Sequence, residues 1–126
     1  MSDKFILIVD DSATLRASVN YTLKEAGFVT LNAVNGKDGL DKLQQAMTDG
    51  KQIGMIISDI NMPIMDGITF IKEVKKTPFK FTPILVLTTE SQEEKKLEGK
   101  KAGASGWLVK PFKPEQLIYV TKKFVR

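Results

Sequence analysis

A chain of 126 residues with a hydrophobic fraction of 42% and a charged fraction of 27% has the size and balance of one globular domain, large enough to bury a core without cross-links. It contains no cysteine and no histidine, which excludes disulfides, thiol chemistry, a histidine general base, a histidine metal site and a phosphohistidine carried by this chain. The formal net charge of +4 comes from lysines that are scattered or interleaved with glutamates, so solvated faces are expected rather than a nucleic-acid surface.

An apolar run over residues 5–9 reads as a first strand; it is too short for a signal peptide, and acidic residues follow it at once. No stretch approaches the ~20 apolar residues that a membrane span needs, so a soluble, cytoplasmic domain is expected. Leu15, Val19, Leu23 and Ala26 then recur at helical spacing, with Gly27 as the stop. Residues 29–34 are a weaker strand candidate, and Leu40, Leu43 and Met47 form a second helical stripe closed by Asp49-Gly50. Residues 55–57, with Ile53 ahead of them, and residues 84–87 are near-continuous apolar runs, the pattern of strands buried on both faces. Between those two runs, Ile68, Ile71 and Val74 make a third helix, followed by a loop over residues 77–83 that holds Pro78 and Pro83.

The helix expected over residues 91–102 is polar almost all round. Acids come early in it and lysines late, which suits the helix dipole. Its apolar stripe is thin, and Gly99 costs ~1 kcal/mol relative to alanine in a helix interior, so a weakly anchored, partner-accessible element is expected. Residues 107–109 complete the strands, and Leu117, Val120, Thr121 and Phe124 mark a last helix entered through Pro114.

Regular strand–helix alternation implies an α/β fold with a parallel sheet and right-handed crossovers. Ligands in such folds bind at the carboxyl ends of the strands, so the residues that follow each apolar run matter most. These are Asp10 and Asp11; Ser58-Asp59, then Asn61, Pro63, Asp66 and Gly67; Thr88, Thr89 and Glu90; and Lys110-Pro111. Singly, Asp10-Asp11 or Asp59 could cap a helix or turn, Thr88 could satisfy a loop amide and Lys110 could be a surface charge. Together they converge on one sheet edge. Three close carboxylates repel one another, and a hard divalent cation removes that cost; oxygen donors without His or Cys select Mg²⁺ or Mn²⁺. A lysine beside them suits a phosphate, and the implied chemistry is phosphoryl transfer to a carboxylate.

Four segments carry a resemblance: Ile8-Val9-Asp10-Asp11-Ser12; Asp59-Ile60-Asn61-Met62-Pro63-Ile64-Met65-Asp66-Gly67; Leu87-Thr88-Thr89-Glu90; and Gly103-Ala104-Ser105-Gly106-Trp107-Leu108-Val109-Lys110-Pro111-Phe112. In this order the chain resembles response-regulator receiver domains, most of all the single-domain chemotaxis regulators of the CheY type. The resemblance implies one receiver domain over residues 1–126, with a flavodoxin/CheY-like, doubly wound five-stranded parallel sheet of order 2-1-3-4-5 flanked by five helices. It implies Asp59 as phosphoacceptor and Mg²⁺ held directly by Asp11, Asp59 and the backbone carbonyl of Asn61, with Asp10 acting chiefly through water. Lys110 would pair with the phosphoryl oxygens. Thr88 would move to the phosphoryl group, opening a space into which Trp107 turns, and the Lys110–Pro111 bond would be cis.

Trp107 departs from the tyrosine or phenylalanine often found at its position, and because an indole carries only an N–H donor, no phenol-type hydrogen bond is expected of its inward state. The same resemblance implies a histidine kinase as phosphodonor and an output protein such as a flagellar motor switch component, with room for a phosphatase as a further partner that the sequence does not name. A phosphorelay intermediate outside chemotaxis is the second reading. The expected molecule is a monomer that binds no nucleic acid, inserts in no membrane and catalyses only its own phosphorylation and dephosphorylation. An aspartyl-phosphate phosphatase of the haloacid-dehalogenase type would need an Asp-x-Asp pair, and Asn61 stands at the second position. FMN binding is disfavoured because Asp10-Asp11 would repel the phosphate.

Overall fold

The computed structural model describes residues 4–125; Met1–Asp3, which entered the N-terminal reading, lie outside it. Strands and helices alternate without exception: β1 (Lys4–Val9), α1 (Ala13–Glu25), β2 (Val29–Ala33), α2 (Gly36–Thr48), β3 (Gln52–Ser58), α3 (Gly67–Val74), β4 (Ile84–Thr88), α4 (Glu93–Ala102), β5 (Gly106–Val109) and α5 (Pro114–Phe124). The five strands are parallel in the order β2-β1-β3-β4-β5, the arrangement that the resemblance implied. No helix among the described residues is long and apolar enough to cross a membrane.

The unbroken apolar runs follow from burial on both faces. Successive strand side chains point to opposite sides, so Leu7, Val9, Ile56, Ile84 and Val86 join Leu43, Phe70, Ile71 and Val74 in one core under α2 and α3. Ile6, Ile8, Met55, Ile57, Leu85 and Leu87 join Val19, Leu23 and Leu117 in a second core under α1 and α5. Alternation along a strand is invisible when both faces are apolar.

A few details differ from the sequence reading. On α2 the buried pair is Leu43 and Ala46, while Met47 is 42% exposed; the i, i+3 partner of Leu43 faces the sheet, and the more apolar i+4 residue does not. On α3 the expected stripe of Ile68, Ile71 and Val74 is buried as read, and Phe70 is buried with it as the largest enclosed side chain. Its ring lies where a side chain on Gly39 would project, 2.8 Å from an added Cβ. α1 stops as expected at Gly27, whose φ of +93° is open to glycine at low cost. α4 starts two residues later than expected, at Glu93, with no side-chain cap and with Leu97 exposed.

Candidate functional site

The site is assembled by the carboxyl ends of β1, β3, β4 and β5. Val9 pairs with Ser58 at the ends of β1 and β3, so Asp10 and Asp59 emerge side by side, with Asp59 N–H donating to Val9 O at 3.0 Å. Thr88 pairs with Val109 at the ends of β4 and β5, and Lys110 N–H donates to Thr88 O at 2.8 Å. From there the Lys110 side chain reaches back across the edge, and its Nζ lies 3.3 Å from both Asp10 Oδ2 and Asp59 Oδ2.

Neither Asp10, Asp11 nor Asp59 caps a helix. Ser12 caps α1 by accepting from Leu15 N–H, and Asp66 caps α3 by accepting from Thr69 N–H, which leaves the carboxylates before them free for chemistry. Asp10 and Asp59 are buried, at 3% and 8% exposure, and Asp11 is exposed. One oxygen of each buried carboxylate is fixed by the backbone: Ser12 N–H donates to Asp10 Oδ1 at 2.8 Å and Ile60 N–H to Asp59 Oδ1 at 2.6 Å. The second oxygen of each faces Lys110. Burial pushes the Asp10 pKa above its ordinary value, and the nearby Asp59 carboxylate adds to this, while Ser12 N–H and Lys110 act the other way.

Carboxylate oxygens of Asp10, Asp11 and Asp59 lie within 4.8 Å of one another, the one acidic group of this kind among the described residues. The oxygen-only donor set and this spacing fit a hard divalent cation. Such a cation would also offset the cost of holding two buried acids beside a third.

Thr88 is fully buried at the same edge, and its hydroxyl accepts from Glu90 N–H at 3.2 Å, the loop-amide role that its position allowed. Trp107 sits apart from the acids. It is half-buried on β5, and its indole Nε1–H donates to Glu90 O at 3.0 Å. This bond uses the single N–H donor that the indole carries, so no phenol-type bond is needed for it. Asn61 is exposed in the loop after Asp59, and the Lys110–Pro111 bond is cis, as the resemblance implied.

The sequence model of the response regulator receiver domain matches residues 6–122. The chain belongs to this family. The structure of the Vibrio cholerae chemotaxis protein CheY4 is 46% identical in sequence, with a TM-score of 0.88, covering 98% of this chain and 99% of that one. The chemotaxis protein CheY1 of Helicobacter pylori is 38% identical over 89% of each chain. The sensor histidine kinase CheAY of the same organism is 36% identical over 99% of this chain, which spans only 15% of that longer protein.

In this receiver domain, a phospho-accepting module of response regulators, the sequence reading brought Asp10, Asp11, Asp59 and Lys110 to one place, and the fold joins them. It missed Arg16, whose Nη1 donates to Asp10 O at 2.6 Å, and the Glu90 backbone, whose N–H donates to Thr88 and whose carbonyl accepts from Trp107. A backbone group carries no signal in residue type, and a backbone acceptor six residues back gives Arg16 no sequence signature either.

The raised Asp10 pKa gives a test with a defined sign. An acid whose pKa is higher in the folded state holds its proton more tightly there, so stability falls as pH rises from the ordinary value of 3.8 through the raised one. Asp10→Asn keeps an acceptor for Ser12 N–H and removes the buried charge. It should melt higher than the parent at neutral pH in chelator-treated buffer, with the gain shrinking as pH falls toward 3.8. A lower melting temperature at neutral pH would mean that the Lys110 pairing, not burial, governs this carboxyl.

Proposed function

We propose that this receiver domain takes a phosphoryl group onto Asp59 from a phosphohistidine of a histidine kinase and then binds an output protein, in chemotaxis a component of the flagellar motor switch. The observation that carries the reading is Lys110 Nζ at 3.3 Å from the oxygens of two buried carboxylates, with a third carboxylate alongside. The chemotaxis assignment is supported by the CheY1 and CheY4 relatives.

An Asp59 oxygen forms the new bond to phosphorus as the donor's phosphorus–nitrogen bond breaks, and the electron pair of that bond leaves with the imidazole. Asp59 is positioned for this by the Ile60 amide, which fixes Oδ1 and aims Oδ2 at the open edge. Lys110 holds the transferred group by charge once its pairing with the free carboxylate is given up. Mg²⁺, with Mn²⁺ as a substitute, would be held by Asp11, Asp59 and the Asn61 carbonyl, with Asp10 chiefly through water, and would neutralise charge on the phosphoryl oxygens. Thr88 then turns to donate its hydroxyl proton to a phosphoryl oxygen, giving up the bond it accepts from Glu90 N–H, and the Glu90 backbone passes that change to Trp107. No other substrate is turned over; the domain catalyses only the gain and loss of its own phosphoryl group. It acts as a cytoplasmic monomer.

The test is labelling by acetyl phosphate, followed by intact mass. The parent should gain one phosphoryl group with Mg²⁺ and label at least about tenfold more slowly in chelator, since charge neutralisation supplies much of the catalysis. Lys110→Ala should label more slowly yet still label, while its Trp107 emission fails to follow phosphorylation. A Lys110→Ala chain whose indole responds as the parent's does would remove lysine from the coupling route. Labelling indifferent to chelator would remove the metal.

A further inference from the structure

Gly99 is the only buried residue of α4. An added Cβ there would lie 2.7 Å from Cζ3 and 3.3 Å from Cε3 of the Trp107 indole. The outer ring of the indole thus occupies the room that any larger residue at position 99 would claim. The other end of the same side chain is tied by Nε1 to Glu90 O at 3.0 Å, and Glu90 N–H is tied to the Thr88 hydroxyl at 3.2 Å. A continuous contact chain therefore runs from the sheet edge beside Asp59, through Thr88, Glu90 and Trp107, to the middle of α4. Helix propensity runs against this glycine, since alanine is favoured roughly fivefold at an interior helical position. A helix without a side-chain cap and with an exposed Leu97 can least spare that factor.

We propose that Gly99 is a positioning residue, the missing Cβ that admits the bicyclic side chain of Trp107 beneath α4 and so sets how fully the inward, Glu90-bound rotamer is populated when Asp59 is phosphorylated. The proposal rests on the receiver chemistry above and adds a matched pair to it, a glycine on α4 and a two-ring aromatic on β5. If phosphorylation favours the inward rotamer, anything that raises the cost of that rotamer weakens the grip on the phosphoryl group by the same factor.

Trp107 is the only tryptophan, so its emission reports this position alone. Parent and Gly99→Ala chains are compared with beryllofluoride and Mg²⁺ at saturation. The variant should emit further to the red and be quenched by acrylamide about twofold more strongly, because the inward state is depopulated. Its apparent affinity for beryllofluoride should fall about fivefold or more, in proportion to the competent fraction. Urea unfolding of Gly99→Ala in two backgrounds separates positioning from simple packing. With Trp107 present, alanine should lower the folding equilibrium constant. In Trp107→Phe, which lacks the second ring, alanine should raise it by about fivefold through helix propensity.

The same sign in both backgrounds would overturn the proposal, as would a Gly99→Ala chain with the parent's quenching. Altered quenching with unchanged beryllofluoride affinity would also overturn it, since Gly99 would then pack α4 without touching the switch. A parent chain that fails to bind beryllofluoride at all would instead overturn the Asp59 chemistry on which the proposal rests.

Discussion

Asp59→Asn should abolish labelling by acetyl phosphate, lowering the rate by at least about 100-fold, equivalent to about 2.7 kcal/mol of barrier. The carboxylate is the nucleophile, and an amide at the same place has no charged oxygen with which to attack phosphorus. The substitution is nearly isosteric, and its amide oxygen can still accept from Ile60 N–H, now at 2.6 Å from Asp59 Oδ1. It also takes one negative charge out of a group of three acids, two of them buried. The variant should therefore fold at least as well as the parent, so that lost labelling reports chemistry and not unfolding. Intact mass with Mg²⁺ present checks this, alongside a thermal melt. Labelling of Asp59→Asn at the parent rate would place the acceptor on another of the chain's 15 acidic residues.

Gly67→Ala should damage both the fold and the site. An added Cβ at position 67 would lie 2.0 Å from Asp59 O and 2.8 Å from Ile60 Cα. Both are backbone atoms, so no rotamer change can relieve the overlap. The approach exists because Gly67 N–H donates to Ile60 O at 2.8 Å, closing the loop after Asp59 onto the first turn of α3. Overpacking of this kind costs about 1–3 kcal/mol or more, which for a domain near this size is a fall in melting temperature of roughly 4–12 °C. The backbone that moves is that of Asp59 itself, and displacement of a reacting group by about 1 Å can lower a rate by about 100-fold.

Gly27→Ala is the matched control. It strains a positive φ, which Gly67 does not have, but nothing lies within 4 Å of the added Cβ, and it sits at the far end of α1. It should lose stability, by about 1–2 kcal/mol, and label at the parent rate. If Gly67→Ala keeps the parent labelling rate, the closeness of α3 to Asp59 does not hold the site in register.

The amino-acid sequence determined by itself the order of the elements, because strands buried on both faces are written as unbroken apolar runs and the helices between them as spaced stripes. It also determined where the chemistry lies: in a parallel sheet every strand ends at the same edge, so Asp10, Asp11, Asp59, Thr88 and Lys110 can be gathered there from their positions after each run. Only the tertiary structure decided which of these groups touch. Lys110 reaches Asp10 over a separation of 100 residues, and no local pattern encodes such a contact. The fold also gave the capping work to Ser12 and Asp66, set Ala46 inward in place of Met47, and joined Thr88 to Trp107 through the backbone N–H and carbonyl of Glu90. The glycines show the division most plainly. A sequence records that Gly67 and Gly99 lack side chains, but what fills the space, a backbone carbonyl at one and an indole at the other, is a property of neighbours brought in from elsewhere in the chain. Close packing leaves little room unused, so the meaning of an absent Cβ is settled only once those neighbours are in place.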